Sequence, residues 1–138
     1  MIKSKTKITI PFNDLDPMNI VWHGNYAKYL EQARCELFKK LGYTYLDMYN
    51  DNYMYPIAKF DMKFIKPVTL DDEISVECTL LEIEPSMIIS YEIFNTKTGE
   101  KIFKAKTMQI GVLVDTKQSV YVAPKKLVEI FKDYENEK

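Results

Sequence analysis

The order of its secondary-structure patterns predicts that this chain is an α+β domain, in which an antiparallel sheet of about five to six strands wraps around one long central helix. Two observations predict this class. Only the segment from Asn25 to Leu41 has long helical periodicity, and a run of strand patterns joined by short turns follows it. Because such a run forms a sheet with one face on the helix, we expect a single domain over residues 1–138.

The predicted central helix has one apolar face and one polar face. Asn25 is placed as its N-terminal cap, and Gly42 is placed as its C-terminal stop. Apolar residues recur every three or four positions, so we expect these side chains in the core: Tyr26, Tyr29, Leu30, Ala33, Leu37 and Leu41.

Strand patterns lie on both sides of this helix. A first strand is predicted over Lys5–Pro11, and Tyr43–Tyr55 is predicted to be a connection. Beyond it, apolar and polar residues alternate, and turn residues separate the strands at 60–65, 70–83, 87–95, 102–114 and 119–122. Pro124 then begins a terminal amphipathic helix. Since several strands are apolar on both faces, a second layer has to cover the sheet, which indicates an oligomer.

The composition excludes several classes of protein. The formal net charge of −1 gives no general attraction for nucleic acid or an anionic membrane. No apolar run is long enough to insert into a membrane, and the N-terminal residues lack the apolar region of a signal peptide. Two cysteines are too few for a disulfide framework, and with one histidine a metal site would be nearly all carboxylate. We therefore expect a cytoplasmic location.

The segment from Phe12 to Tyr26 holds the residues that suggest a chemistry. Two acids, Asp14 and Asp16, precede the only tryptophan, Trp22, and the only histidine, His23, directly before the helix. The first N–H groups of a helix have no partner inside it and carry partial positive charge, so they can stabilise a developing oxyanion. A carboxylate close to such groups is suited to attack on a carbonyl.

Several short motifs follow one another in a recognisable order. They are Asp14-x-Asp16, Ile20-Val21-Trp22, Asn25-Tyr26, Glu31-Gln32-Ala33-Arg34, Phe64-Ile65-Lys66-Pro67 and Leu70-Asp71-Asp72-Glu73. This series resembles the 4-hydroxybenzoyl-CoA thioesterase family of hotdog-fold proteins, which includes the bacterial short-chain acyl-CoA thioesterases of the Tol–Pal cluster. The resemblance covers residues 5–125.

The resemblance implies a hotdog fold, in which two subunits join their sheets and form active sites at their interface, as a homodimer or a dimer of dimers (a homotetramer). It implies hydrolysis of an acyl-CoA thioester, or of an acyl-carrier-protein thioester, with no metal or cofactor besides the coenzyme A of the substrate. Asp16 aligns with the catalytic carboxylate, and His23 aligns with the residue whose backbone N–H polarises the thioester carbonyl. The substrate-binding residues expected beside them are Trp22, Gly24, Asn25 and Tyr26.

The residues by themselves leave some roles open. Asp16 is a nucleophile or a general base in the functional interpretation, and a turn aspartate before Pro17 in the structural one. His23 can act through its ring or only through its backbone N–H. Asp14 is expected to hold N–H groups of the loop rather than to act as a second catalytic acid. Trp22 is expected in the core or in the acyl pocket.

Other polar residues have simpler interpretations. Glu31 and Arg34 are expected to form an ion pair on the helix surface, Asn25 and Tyr26 to be cap and core residues or to line the pocket, and Cys35 to be an ordinary thiol. Six strand lysines are expected either to lie on a solvated face or to contact coenzyme A phosphates: Lys59, Lys63, Lys66, Lys101, Lys104 and Lys106.

Two rival functions follow from the same pattern. Many members of the family have Ala-Gly or Gly-Gly where this chain has Met18-Asn19. That departure favours a module that binds acyl thioesters, or helps an assembly, without hydrolysing them. A hotdog-type hydratase or dehydratase is the other rival, although His23 lies very near the helix start for the base such enzymes need.

Overall fold

The computed structural model describes residues 1–136. In chain order, its strands and α-helices are β1 (Ile2–Thr9), α1 (Asn25–Leu41), α2 (Tyr45–Asn50), β2 (Tyr53–Met54), β3 (Ile57–Phe64), β4 (Glu73–Glu82), β5 (Met87–Asn95), β6 (Lys101–Gln109), β7 (Gly111–Leu113), β8 (Ser119–Val120) and α3 (Lys125–Asn136). A short 3-10 helix, Phe12–Asp14, lies between β1 and α1. Within residues 1–136, no helix is long and apolar enough to cross a membrane.

Five strands form one antiparallel sheet in the order β1-β4-β5-β6-β3, and α1 packs on its inner face. Alternate side chains of β4 and β5 point inward and are almost completely buried: Ile74, Val76, Cys78, Leu80, Met87, Ile89, Tyr91 and Ile93. Burying one such large apolar side chain contributes about 1.5–3 kcal/mol of transfer free energy. The layer between α1 and the sheet therefore supplies most of the core.

The central helix covers the predicted residues, and its six predicted core side chains are buried. It ends at Gly42, whose φ of 75° is left-handed and whose N–H donates to the carbonyl of Lys39. The beginning differs from the prediction. The N-cap residue is Gly24, so the expectation that Asn25 caps the helix is wrong. The Asn25 amide instead donates to the carbonyl of Asp14 at 2.9 Å.

Two other predicted elements are wrong in detail. The stretch 43–55 is more than a connection, because α2 begins there with a capping box between Thr44 and Asp47 and β2 follows it. The strand predicted over 102–114 is interrupted at Ile110. Its first part is β6 of the large sheet, and its second part is β7 of a small β2-β7-β8 sheet.

The expected ion pair between Glu31 and Arg34 is also wrong. Arg34 is only 7% exposed, and its guanidinium donates to the hydroxyls of Tyr45 at 3.1 Å and Tyr91 at 3.2 Å. Glu31 is exposed. The charge of Arg34 is thus held inside the protein by neutral oxygen acceptors, as a buried polar group requires.

The two edges of the sheet differ in character. The β1 edge has outward lysines at positions 3, 5 and 7, which is typical of an edge protected against pairing. The β3 edge exposes Ile57, Met62 and Phe64 by 41%, 43% and 48%. β3 pairs with β6 on one side only, and a strand with one unpaired edge and exposed apolar side chains is a surface on which another chain can pair.

Candidate active site

The loop between β1 and α1 folds back on itself before the helix begins. Leu15 and Val21 form an antiparallel bridge, and the N–H of Asp16 donates to the carbonyl of Ile20 at 2.8 Å. At the tip, the N–H of Asn19 donates to the carbonyl of Asp16 at 2.9 Å, which closes a β-turn over residues 16–19. Aspartate at the first position and Pro17 at the second favour such a turn. Asp16 therefore stands at the first position of a turn at the tip of this loop.

The departure at Met18-Asn19 has a local explanation in this turn. Asn19 has a φ of 63°, a left-handed conformation in which asparagine is the residue most often found after glycine. Its carbonyl accepts a hydrogen bond from the Thr69 hydroxyl at 2.7 Å. Asparagine therefore keeps the backbone path that a glycine would take, and the loop retains its turn.

Asp14 fastens the base of the loop to α1. It is 3% exposed, and its carboxylate accepts hydrogen bonds from the Tyr29 hydroxyl at 2.6 Å and from Lys28 Nζ at 2.8 Å. Its carbonyl accepts from the N–H of Trp22 at 3.0 Å and from the Asn25 amide. Burial disfavours the charged carboxylate, but Lys28 and Tyr29 outweigh burial and hold the pKa of Asp14 below its usual value. These contacts are structural, as predicted for Asp14, but its carboxylate binds side chains of α1 rather than N–H groups of the loop.

Asp16, two residues later, has very different surroundings. Its side chain is half-buried, and Oδ1 accepts a hydrogen bond from the N–H of Met18 at 2.8 Å. Within residues 1–136, its second carboxylate oxygen has no hydrogen-bond partner. One oxygen therefore fixes the orientation of the group while the other is available to a substrate or a water molecule.

Asp16 and His23 line one surface cavity of about 330 Å³. Its other walls are largely apolar and include Val21, Tyr26 and Phe64. The Tyr26 ring stacks on Phe103 with centroids 4.7 Å apart and meets Phe64 edge-on at 5.1 Å. Burial raises the pKa of Tyr26 to about 12, so its hydroxyl is neutral at working pH. The cavity thus joins a carboxylate to a rigid aromatic wall.

Two backbone N–H groups at the start of α1 are free. The N–H groups of Trp22, Asn25 and Tyr26 donate within the loop and the first helical turn. By contrast, the N–H groups of His23 and Gly24 donate no hydrogen bond to any part of the chain that the structure describes. They lie at the positive end of the helix dipole, where an anionic oxygen is stabilised.

The expectation that Trp22 packs in the core is wrong, since half of its surface is exposed. Its ring lies over the helix start, 5.2 Å from the ring of His23. A Cβ on Gly24 would come within 2.3 Å of the Trp22 ring, so only glycine fits beneath the indole in this position. Trp22, Gly24 and Asn25 lie outside the lining of the cavity, and Tyr26 is the one of the four predicted substrate-binding residues that lines it.

Sequence reasoning missed the contribution of the β3 end. Phe64, Ile65 and Lys66 line the same cavity as Asp16. The sequence places Phe64 in an alternating strand and in the Phe64-Ile65-Lys66-Pro67 motif, but neither pattern states which loop the end of this strand will face. Cys35 is exposed and unpaired, as expected of an ordinary thiol.

Comparison with known proteins gives this geometry a context. Residues 10–131 match the family model of the thioesterase-like superfamily. The chain is 29% identical over 110 residues to the Bacillus subtilis protein YneP, named as a candidate acyl-CoA thioesterase, with 79% of each protein covered. It is 21% identical over 127 residues to the Escherichia coli acyl-CoA thioester hydrolase YbgC, which covers 91% of this chain and 92% of that protein.

Among solved structures, a DHNA-CoA thioesterase from Staphylococcus aureus superposes with a TM-score of 0.89 at 27% identity, covering 99% of this chain and 93% of that one. This similarity confirms the predicted hotdog fold. Because the family model spans nearly the whole chain, the protein belongs to the thioesterase-like superfamily.

Proposed function

We propose that this protein is an acyl-CoA thioesterase, which hydrolyses an acyl-CoA to a free carboxylic acid and coenzyme A. The observation that carries the proposal is the free oxygen of Asp16 on the same cavity as His23, at the helix start where two N–H groups are free. The names of YneP and YbgC support the same chemistry.

In the proposed reaction, the thioester carbonyl lies between Asp16 and the start of α1. The free carboxylate oxygen attacks the carbonyl carbon, or takes a proton from a water molecule that attacks it. The C–S bond then breaks, and the thiolate leaves and is protonated to free coenzyme A. In the nucleophilic route, water afterwards hydrolyses the acyl anhydride on Asp16 and releases the acid. No metal or further cofactor takes part in this proposal.

The N–H groups of His23 and Gly24 stabilise the oxyanion that forms during attack. The His23 ring is the alternative contributor, since it lines the same cavity and an imidazole can donate a hydrogen bond. His23→Ala separates these roles, because the substitution keeps the backbone N–H and removes the ring. Unchanged hydrolysis assigns the function to the backbone.

We propose that the acyl group enters between the apolar walls formed by Val21, Tyr26 and Phe64. In this proposal, the substrate meets Trp22, Gly24 and Asn25 at the helix start and not in the apolar wall of the cavity.

The proposed active unit is a homodimer joined through β3, because the outer edge of this strand is unpaired and exposes apolar side chains. A dimer of dimers is the next level of assembly. The free cysteines Cys35 and Cys78 support a cytoplasmic location.

A panel of short-chain, long-chain and aromatic acyl-CoAs tests the proposal, with thiol release followed by a chromogenic thiol reagent. Acyl-carrier-protein thioesters belong in the panel because they carry the same reactive group. We expect release from at least one acyl-CoA. Saturable binding without release from any thioester would instead indicate a non-catalytic acyl-binding module, and hydration of an enoyl-CoA would indicate a hydratase.

A further inference from the structure

One hydroxyl group on the wall of the cavity, that of Tyr26, has no partner in the described part of the chain. Tyr26 lines the cavity and is only 3% exposed. Other buried tyrosines place their hydroxyls 2.6–2.9 Å from an oxygen atom of another side chain: Tyr29, Tyr43 and Tyr91. Within residues 1–136, the Tyr26 hydroxyl forms no hydrogen bond of this kind. Its capacity to bond is therefore unused by the protein's own side chains in that range.

The Tyr26 hydroxyl is open to the cavity and is not sealed in the core. Tyr26 is not among the residues whose unpartnered polar atoms are closed off from solvent, which are Ser4, Thr6, Ser75 and Gln109 in the described part of the chain. Its hydroxyl therefore still contacts water, and the surface that the residue lines is the cavity. An apolar group that covered the hydroxyl would displace this water without replacing its hydrogen bond, which is unfavourable.

Three neighbouring rings fix the position of the Tyr26 hydroxyl. The ring of Tyr26 stacks on Phe103 at 4.7 Å, with an angle of 14° between the two planes. It meets the rings of Phe64 and Tyr29 edge-on, at 5.1 Å and 5.9 Å. Since a phenolic oxygen lies on the long axis of its ring, a fixed ring holds the oxygen in one place. A polar group placed in this way can orient a ligand and discriminate between ligands.

No other hydroxyl or amide side chain lines the described cavity. Its apolar walls are formed by Met18, Ile20, Val21, Phe64, Ile65 and Pro67. The remaining lining residues are ionisable, and Asp16 and His23 belong to the proposed reaction centre. Lys66 forms an ion pair with Glu100. Tyr26 is thus the residue through which the cavity can distinguish an acyl group with an oxygen from one without it.

We propose that Tyr26 selects acyl groups that carry a hydroxyl or keto oxygen, because its hydroxyl forms a hydrogen bond with that oxygen while the thioester reacts at Asp16. The inference rests on the proposed function, and it adds a preference among acyl groups. A neutral phenol can donate to a keto oxygen or accept from a hydroxyl. A hydrocarbon acyl group of the same shape leaves the Tyr26 hydroxyl unpaired, and sites that bond a substrate oxygen reject such analogues strongly.

The test compares acyl-CoAs that have the same carbon skeleton and differ only in one oxygen. Butanoyl-CoA is paired with 3-hydroxybutanoyl-CoA and 3-ketobutanoyl-CoA, and benzoyl-CoA is paired with its three ring-hydroxylated forms. In the wild type, kcat/KM should be at least about tenfold higher for an oxygenated member of one series than for its parent. Tyr26→Phe keeps the ring and removes the hydroxyl, so this ratio should fall to about one.

Tyr55→Phe is the matched control. Tyr55 is 7% exposed, its hydroxyl has no hydrogen-bond partner in residues 1–136, and it does not line this cavity. The same chemical change at this position should therefore leave the wild-type ratio intact. Loss of the ratio in both variants would overturn the inference, because the preference would then not depend on the cavity.

A wild type without preference in either series, or a ratio that survives in Tyr26→Phe, would also overturn the inference. Equal losses on both members of a pair would do the same, because the hydroxyl would then act on the thioester that they share. If the wild type hydrolyses no thioester, the proposed function fails separately. Calorimetric binding of the same pairs to the wild type and to Tyr26→Phe still decides whether the hydroxyl recognises the acyl oxygen.

Discussion

The base and the tip of the loop before α1 each present an aspartate, and their surroundings give the two residues opposite properties. At the base, Asp14 is buried and every contact of its carboxylate is with α1. At the tip, Asp16 is half-buried and one of its oxygens is bound only by the loop's own backbone. The two aspartates thus have different roles. Asp14 anchors the loop because side chains of α1 donate hydrogen bonds to its carboxylate, whereas Asp16 receives none from α1 and keeps a free oxygen.

This division explains how a short loop can be both rigid and reactive. The hydrogen bonds of Asp14 to Lys28 and Tyr29 fix the loop to the first turns of α1, and the bridge from Leu15 to Val21 carries that rigidity to the tip. The carboxylate of Asp16 therefore keeps its position on the cavity that His23 also lines, and one of its oxygens has no hydrogen-bond partner in the described residues. Preorganisation of this kind lowers a barrier because little has to move when charge develops.

The largest effect is expected from removing the charge at the tip. Asp16→Asn keeps the shape and the hydrogen bond from Met18, but it removes the nucleophile or base, so thiol release should fall about 10³-fold. The free energy of unfolding should change by less than about 0.5 kcal/mol. Asp71→Asn, in an exposed turn, is the matched control with the same chemical change. Near wild-type turnover in Asp16→Asn would show that the tip carboxylate is not catalytic.

The same substitution at the base should mainly affect stability. Asp14→Asn places an amide among the donors of Tyr29 and Lys28 and leaves a buried hydroxyl without its anionic acceptor. We expect the free energy of unfolding to fall by about 2 kcal/mol. Most of this loss comes from the hydrogen bond of Tyr29, because the Lys28 amine is largely exposed and its ion pair with Asp14 is screened by solvent. Chemical denaturation measures it. A loss of activity with unchanged stability would reverse the roles assigned to the two acids.

The pH dependence of stability should distinguish the anchor further. Because the pKa of Asp14 is lower in the folded protein than the ordinary value of 3.8, the carboxylate stabilises the fold above that pH. This contribution is lost as the pH falls below 3.8 towards the folded pKa, so the stability gap between wild type and Asp14→Asn should narrow there. Denaturant midpoints measured from pH 7 downwards test this. A gap that stays constant through this range would contradict the lowered pKa.

How much of this the sequence could predict depends on the distance over which each signal acts. The span of α1 and its buried face follow from local periodicity, and Gly42 follows from local backbone chemistry, so both were predictable. The hydrogen-bond partners of Arg34 were not predictable, because Tyr91 is distant in sequence and only the folded sheet brings it to the helix. Likewise, the position of Phe64 on the cavity depends on the register of β3 with β6. The motif around Asp16 could be recognised in the sequence, but only the folded structure shows that one oxygen of the Asp16 carboxylate has no hydrogen-bond partner in the described residues.

The smallest effect is expected at Asn19, and it tests whether the tip needs a particular backbone rather than a particular side chain. Asn19→Gly should leave activity and stability nearly unchanged, since glycine adopts the left-handed φ of 63° without strain. Asn19→Val should cost about 1–2 kcal/mol, because a branched Cβ is disfavoured there, and should lower thiol release by tilting Asp16. Thermal unfolding and initial rates of both variants give the answer. If valine is tolerated as well as glycine, the turn does not hold Asp16 in place, and the rigidity of the tip comes from the bridge at the base alone.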